Sequence, residues 1–142
     1  MRAGKHAFTL LELAMALAAM AIVAVFALPS WSGQIARSHR IEAVTALYRA
    51  AQFIDTQVSV PAMLPAGLDQ SPPTGPPVYR LRLLPADESN GGYELEASPV
   101  ATGPMHGDPC GTFTLDATGT RGNRAVMADT VAQATEECWR GR

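Results

Sequence analysis

The side chains that could carry out chemistry in this sequence are two cysteines and three histidines. His106 lies four residues before Cys110, but no third group near it could orient a cysteine–histidine pair for nucleophilic attack. The histidines are far apart, and the sequence contains no phosphate-binding loop, dinucleotide fingerprint or zinc-ligand spacing. We therefore predict that the protein is not an enzyme and that it has no catalytic residue, metal site or cofactor.

One acidic turn could offer oxygen ligands. Asp116 is followed by Thr118, Gly119 and Asn123, but the spacing is not that of a calcium-binding loop. We expect a turn capped by Asp116, with calcium binding left open.

The composition shows which elements must carry these residues. All 16 residues from Leu13 to Leu28 are apolar, whereas the rest of the chain has the composition of a soluble domain. The 24 residues from Leu13 to Ala36 carry no charge and reach roughly 36 Å as a helix, enough for a hydrocarbon core of about 30 Å. The sequence thus predicts one membrane-spanning segment attached to one small domain.

A secretory signal peptide would explain the same segment, with cleavage after Ala27. Glu12 argues against it, because a carboxylate in an apolar run costs about 2.5–3.5 kcal/mol on insertion scales. Arg2 and Lys5 favour a cytoplasmic N-terminus, but Arg37 and Arg40 on the far side weaken that bias. Charge and periodicity alone leave both interpretations open.

The segment Lys5-His6-Ala7-Phe8-Thr9-Leu10-Leu11-Glu12-Leu13 resembles the class III signal of type IV pilins and pseudopilins. The resemblance implies that a prepilin peptidase cleaves between Ala7 and Phe8 and methylates the new amine of Phe8. It also implies that Glu12 pairs with the amine of a neighbouring subunit, and that Pro29 perturbs the helix. Ala7 and Ala21 depart from the family pattern, which usually has Gly at both positions.

The remaining chain predicts an α+β fold. Apolar residues from Ile41 to Val58 recur every three or four positions, so one helix should run from about Phe8 to about Gln57. Residues 61–77 hold six prolines and form a surface connection. Alternating segments then predict a small antiparallel sheet of three to four strands, packed on the helix. The predicted strands are Tyr79–Leu83, Tyr93–Ala97, Thr112–Asp116 and a segment that starts at Thr120. Arg80 and Arg82 of the first strand and Glu94 and Glu96 of the second should share the solvent face.

The C-terminal part resembles short minor pilins, in which a Cys-Gly pair and a final Cys-Trp bound a loop. These residues are Cys110-Gly111 and Cys138-Trp139. We expect one disulfide in an oxidising compartment, stabilising the domain by roughly 3–4 kcal/mol. The predicted organisation is therefore a leader (1–7), a transmembrane half-helix (8–28), an amphipathic half-helix (29–60), a Pro-rich loop (61–77) and a β head with a disulfide-bonded loop (78–142).

The resemblance implies a structural subunit of a type IV pilus, more typical of a minor pilin than a major one. The implied partners are the prepilin peptidase and N-methyltransferase, other pilins, the inner-membrane assembly platform and membrane lipid. The precursor would lie in the bacterial inner membrane with its N-terminus cytoplasmic and its head periplasmic, and the assembled subunit in an extracellular pilus. Alternatives are a type II secretion pseudopilin and a minor pilin that binds DNA for uptake. Adhesion and twitching motility are further roles of such pili that the sequence does not separate.

Charge disfavours the DNA alternative. Cleavage would leave 9 basic and 13 acidic residues, a net charge of −4, whereas non-specific phosphate binding needs a basic surface. A local patch of Arg121, Arg124, Arg140 and Arg142 is interrupted by acids at 129, 136 and 137. On this ground we do not expect nucleic acid as a partner.

Overall fold

The computed structural model describes residues 8–124 and 131–141, with the backbone alone described at 28–30 and 131–134. Ala7, which would precede the predicted cleavage site, lies outside these residues. The elements follow one another as α1 (Leu10–Asp55), β1 (Gln70–Ser71), β2 (Tyr79–Leu84), β3 (Glu94–Pro99), β4 (Thr112–Asp116), β5 (Arg121–Arg124) and α2 (Val131–Trp139). This long N-terminal helix followed by an antiparallel sheet confirms the predicted α+β class.

The chain divides into two compact units, of which the first ends at Ile35 and the second begins at Ala36. In the first unit, every described side chain from Phe8 to Ala27 is exposed. A helix that is apolar on all sides finds no favourable surroundings in water. By length and composition, α1 is the one helix of the described chain that could cross a membrane. The helix continues through position 29, so Pro29 does not end it, and its perturbing role stays a prediction.

The second unit is built on a five-stranded antiparallel sheet in the order β1-β2-β3-β4-β5. The sequence predicted three to four strands, and the additional one is β1, within the Pro-rich segment. It consists of two residues, Gln70 and Ser71, which lie opposite Arg80 and Tyr79. Because prolines follow at once, the strand is short and lies at the sheet edge, where proline is tolerated.

The core lies between one face of the sheet and the C-terminal half of α1. The helix contributes mainly small side chains, including Ala43, Ala46 and Ala50, each at most 3% exposed. Small residues let the sheet approach the helix closely, so that larger side chains from the strands fill the space. These larger buried residues alternate along the strands: Tyr79, Leu81, Leu95, Phe113 and Leu115.

Helix α2 was not predicted from the sequence. Its Trp139 packs edge-on against Tyr48 and Phe113, with ring centroids 6.0 and 5.8 Å apart. The indole Nε1 donates to the carbonyl oxygen of Gly122 at 3.2 Å. Since β5 ends the sheet, this bond and the packing of Trp139 hold α2 beside the edge strand.

Candidate functional site

The start of α1 places the motif residues in a capped helix terminus. Thr9 Oγ1 accepts a hydrogen bond from the backbone N–H of Glu12 at 3.2 Å, and the Thr9 carbonyl accepts from Leu13 N–H at 3.1 Å. Thr9 is therefore the N-cap, and Glu12 occupies the third helical position, as in a capping box. The Glu12 carboxylate lies in the first turn, where the helix dipole favours an anion.

Phe8 and Glu12 are both exposed, so both are available to groups outside the chain. Within the described residues, Glu12 makes no ion pair. Cleavage at Phe8, its methylation and the pairing of Glu12 with another subunit's amine stay predictions.

The disulfide joins Cys110 to Cys138, with Cα atoms 5.6 Å apart, as expected from the sequence. Its surroundings tie three elements together. Asp108 Oδ1 accepts the Cys110 N–H at 2.9 Å, and Asn123 Nδ2 donates to the Cys110 carbonyl at 2.9 Å. The bridge therefore links α2 to the segment before β4 and, through Asn123, to β5.

Asp108 also anchors this segment to α1. Arg40 Nη2 donates to Asp108 Oδ2 at 2.6 Å, and Arg40 Nε donates to both carboxylate oxygens. The two side chains are only 13% and 6% exposed. Arg40 is thus a structural ion-pair partner and does not present a free charge. The pair also acts on the nearby Tyr79 hydroxyl, because burial raises the pKa of this group, Asp108 raises it further and Arg40 opposes the rise.

Asp116 forms the capped turn that the sequence predicted. Its Oδ1 accepts hydrogen bonds from the N–H and Oγ1 of Thr118, at 2.9 and 2.6 Å, and from the N–H of Thr120 at 2.8 Å. Burial raises the pKa of Asp116, but these hydrogen bonds outweigh it and leave the pKa below its ordinary value. The described residues contain no cluster of His, Cys, Asp or Glu side chains that could hold a metal ion.

The C-terminal arginine patch considered from the sequence is largely neutralised. Arg140 pairs with Glu136 at 2.9 Å, and Arg121 lies 4.0 Å from the same residue, with its guanidinium over the Trp139 ring at 5.7 Å. Arg124 pairs with Glu94 and Glu96. Arg142 lies outside the described residues.

Positive charge remains instead on the side of the sheet that faces away from α1. We call this side the outward face, formed by Gln70, Arg80, Arg82, Leu84, Glu94, Glu96, Ser98, Thr112, Thr114, Asp116, Gly122 and Arg124. Because Arg124 is paired with the two glutamates, Arg80 and Arg82 stay without a described ion pair or hydrogen bond, and both are exposed.

The chemistry that these features support is recognition. The capped helix terminus presents an anion to a neighbouring positive group, the apolar helix surface needs apolar surroundings, and the outward face offers guanidinium groups to an anion. An apolar, membrane-compatible N-terminal helix attached to a small disulfide-bonded α+β head is the architecture of type IV pilins.

The chain belongs to the type IV minor pilins, because the family model described as "Type IV minor pilin ComP, DNA uptake sequence receptor" matches residues 29–114, more than half of its length. The match covers the head from α1 to β4 and leaves out β5 and α2. No curated protein matches the chain. The family and the apolar helix together fit membrane anchoring and a pilus.

The family description conflicts with the expectation that nucleic acid is not a partner. That expectation weighted all 13 acids equally. In the folded head, several acids already have partners within the chain. Asp108 pairs with Arg40, and Asp116 caps its own turn. Glu94 and Glu96 both pair with Arg124. Arg80 and Arg82 alternate with buried residues, a pattern that already indicated an exposed strand with two cations. The expectation did not take this pattern into account because it relied on the net charge of the whole chain.

Proposed function

We propose that the protein is a minor subunit of a type IV pilus, made as an inner-membrane precursor with a cytoplasmic leader. Prepilin peptidase removes residues 1–7, the new Phe8 amine is methylated, and the subunit then enters the filament through the inner-membrane assembly platform. The filament's other pilins are its permanent neighbours.

The observation that supports this proposal best is the structure at the start of α1. Thr9 caps α1 directly after Phe8, so the helix begins at Leu10, the third residue after the proposed cleavage site. Cleavage would therefore place a positive amine at the head of a helix whose first turn holds Glu12. The amine and the helix dipole repel each other, and an anion from a neighbouring subunit would relieve this repulsion.

Intact-mass analysis of the membrane-extracted chain tests the processing. The expected mass is that of residues 8–142 with one added methyl group. A mass that begins at Leu28 would identify an ordinary secretory signal and overturn the proposal. Fractionation of sheared surface filaments then tests assembly, since a filament subunit co-purifies with the pili.

A second function is proposed for the head: reception of DNA during uptake. The family description favours it, and so does the cation content, since after residue 5 all nine basic residues are arginine. Arginine presents a planar fork of donors that matches phosphate with two hydrogen bonds, and it also binds guanine in a bidentate way.

Binding of the mature, full-length chain in detergent micelles to fluorescent duplex DNA tests this role. We expect binding that weakens steeply with salt, since phosphate contacts release counterions. Absence of binding at 50 mM salt would remove the receptor role and leave the filament role unaffected.

A further inference from the structure

The ion pairs on the outward face are not the pairs between directly opposite residues that the strand register would favour. Arg82 on β2 lies directly opposite Glu96 on β3, and such neighbours have Cβ atoms about 4.5–5.5 Å apart. A direct pair between them is therefore accessible. In the structure, Glu96 is instead held by Arg124, which reaches across β4 from β5 and also contacts Glu94.

This choice of partner determines which charges remain available. Glu96 is only 12% exposed and Glu94 22%, whereas Arg124 is 57% exposed. A single guanidinium thus satisfies two half-buried carboxylates. Arg80 and Arg82 are left as two exposed cations on one strand.

Resting on the DNA-receptor role proposed above, we propose that Arg80 and Arg82 form the phosphate-contacting pair for duplex DNA, and that Arg124 is a positioning residue. Arg124 holds Glu94 and Glu96 and so prevents Glu96 from capturing Arg82. An internal contact of the fold thereby leaves two cations, unpaired among the described residues, on the β2 part of the outward face.

The geometry fits a phosphate backbone. Residues two apart on a strand point to the same side and are about 6.8 Å apart, so both guanidinium groups can bind one nucleic-acid strand. Each guanidinium matches the phosphate geometry with two parallel hydrogen bonds. The Ser98 hydroxyl on the same face accepts a hydrogen bond from Thr112 Oγ1 at 3.1 Å, so its own proton provides a further donor of the kind found at DNA backbones.

The composition of the face favours duplex over single-stranded DNA. Proteins that bind single strands stack bases on aromatic side chains. The residues that form the outward face include no aromatic side chain, and the aromatic residues of β2 and β4, Tyr79 and Phe113, are buried in the core.

Anisotropy titration of mature, full-length variants in detergent micelles tests both parts, with a mixed-sequence duplex as the probe and salt varied from 50 to 200 mM. Arg80→Gln and Arg82→Gln should each weaken binding roughly eightfold at 0.1 M salt and reduce the salt slope by about 0.9, the contribution of one phosphate contact. Arg49→Gln is the matched control, because Arg49 is also exposed but lies on α1, away from the outward face. It should bind like the wild type.

The role of Arg124 is tested by a matched pair of double variants. Arg124→Gln should weaken binding at least as much as Arg82→Gln. Adding Glu96→Gln removes the competitor opposite Arg82 and should restore binding to within about twofold of the wild type, since residues in one ion-pair network are coupled. Arg124→Gln with Glu94→Gln has the same net charge but leaves Glu96 in place, so its binding should stay weak.

Each failure has its own meaning. If the wild type binds duplex DNA and Arg82→Gln behaves like Arg49→Gln, the surface is wrong while the receptor role stands. If both double variants recover equally, net charge explains the effect and the positioning role of Arg124 is overturned. If Arg82→Gln binds DNA normally but no longer enters filaments, the arginines contact an acidic neighbouring subunit instead.

Discussion

The first unit, up to Ile35, and the head, from Ala36 onward, obtain their stability in opposite ways. The first unit exposes all its described apolar side chains up to Ala27, and it gains stability only from lipid or from other helices. The head buries a core of large apolar residues, joins its last helix with a disulfide and pairs its buried charges. One unit needs partners for its stability, whereas the other needs them only for its function.

This contrast predicts that changes in the two units have separate consequences. The largest effect should come from Glu12, the one acid in the apolar segment. Glu12→Val should insert into the membrane at least as well as the wild type, since a charge costing about 2.5–3.5 kcal/mol is removed. Incorporation into filaments should fall severalfold or more, because the amine of a neighbouring subunit loses its anion. Quantification of the chain in sheared pili measures this.

The matched control is Glu12→Gln, which preserves shape and hydrogen bonding but not charge. If the pairing is electrostatic, Glu12→Gln should assemble as poorly as Glu12→Val. Normal assembly of either variant would contradict the pairing role.

The next largest effect concerns the disulfide of the head. Cys138→Ser should lower the free energy of unfolding by about 2–5 kcal/mol, the usual loss when a small secreted domain loses a native disulfide. The consequence should include exposure of the β5 edge, because α2 would be held mainly by Trp139. Thermal unfolding followed by near-ultraviolet circular dichroism of the full-length chain measures the change.

Processing should distinguish the two units in the same Cys138→Ser sample. The cleavage site precedes Phe8, and the proposed cut occurs on the cytoplasmic side, so the mature mass should be unchanged apart from the substitution. Loss of cleavage in this variant would show that the units do not behave independently. Two reactive thiols per wild-type chain under denaturing, non-reducing conditions would contradict the bridge itself.

Much of this division could be predicted from the sequence, since local patterns encode it. A run of apolar residues, a motif at Phe8–Leu13 and alternating strands depend on neighbouring residues, and the α+β class followed from them. β1 was missed because two residues between prolines carry no periodicity. α2 was missed because its position depends on Trp139 and the disulfide, which are tertiary contacts.

The outward face shows the same limit at the level of single charges. Alternation placed Arg80, Arg82, Glu94 and Glu96 on one face, and the register confirms it. The sequence could not indicate that Arg124 on β5, two strands away from the glutamates on β3, would become their partner. That choice depends on side-chain length and on the burial of Glu96, which only the folded sheet determines.

A smaller effect is expected at the start of α1. Thr9→Ala removes the N-cap and should cost about 0.5–2 kcal/mol of local helix stability, which appears as faster amide exchange in the first turn. Thr9→Ser keeps the hydroxyl and should exchange like the wild type. The melting temperature of the head should stay the same in both, since the cap lies in the other unit. A lowered melting temperature of the head would contradict the separation of the two units.

The smallest effect is a pH dependence within the head. The folded-state pKa of Asp116 lies below its ordinary value, because the hydrogen bonds from Thr118 and Thr120 outweigh its burial. Its contribution to stability is therefore fully present above the unfolded pKa, about 3.9, and is lost as the pH falls through the folded pKa. The effect should stay below about 1 kcal/mol, because solvent screens this carboxylate. Asp116→Asn should lower stability slightly at neutral pH and flatten the acid limb of the unfolding curve between pH 5 and 2. An acid limb identical to the wild type would show that Asp116 does not contribute, and that the turn is held by its backbone hydrogen bonds alone.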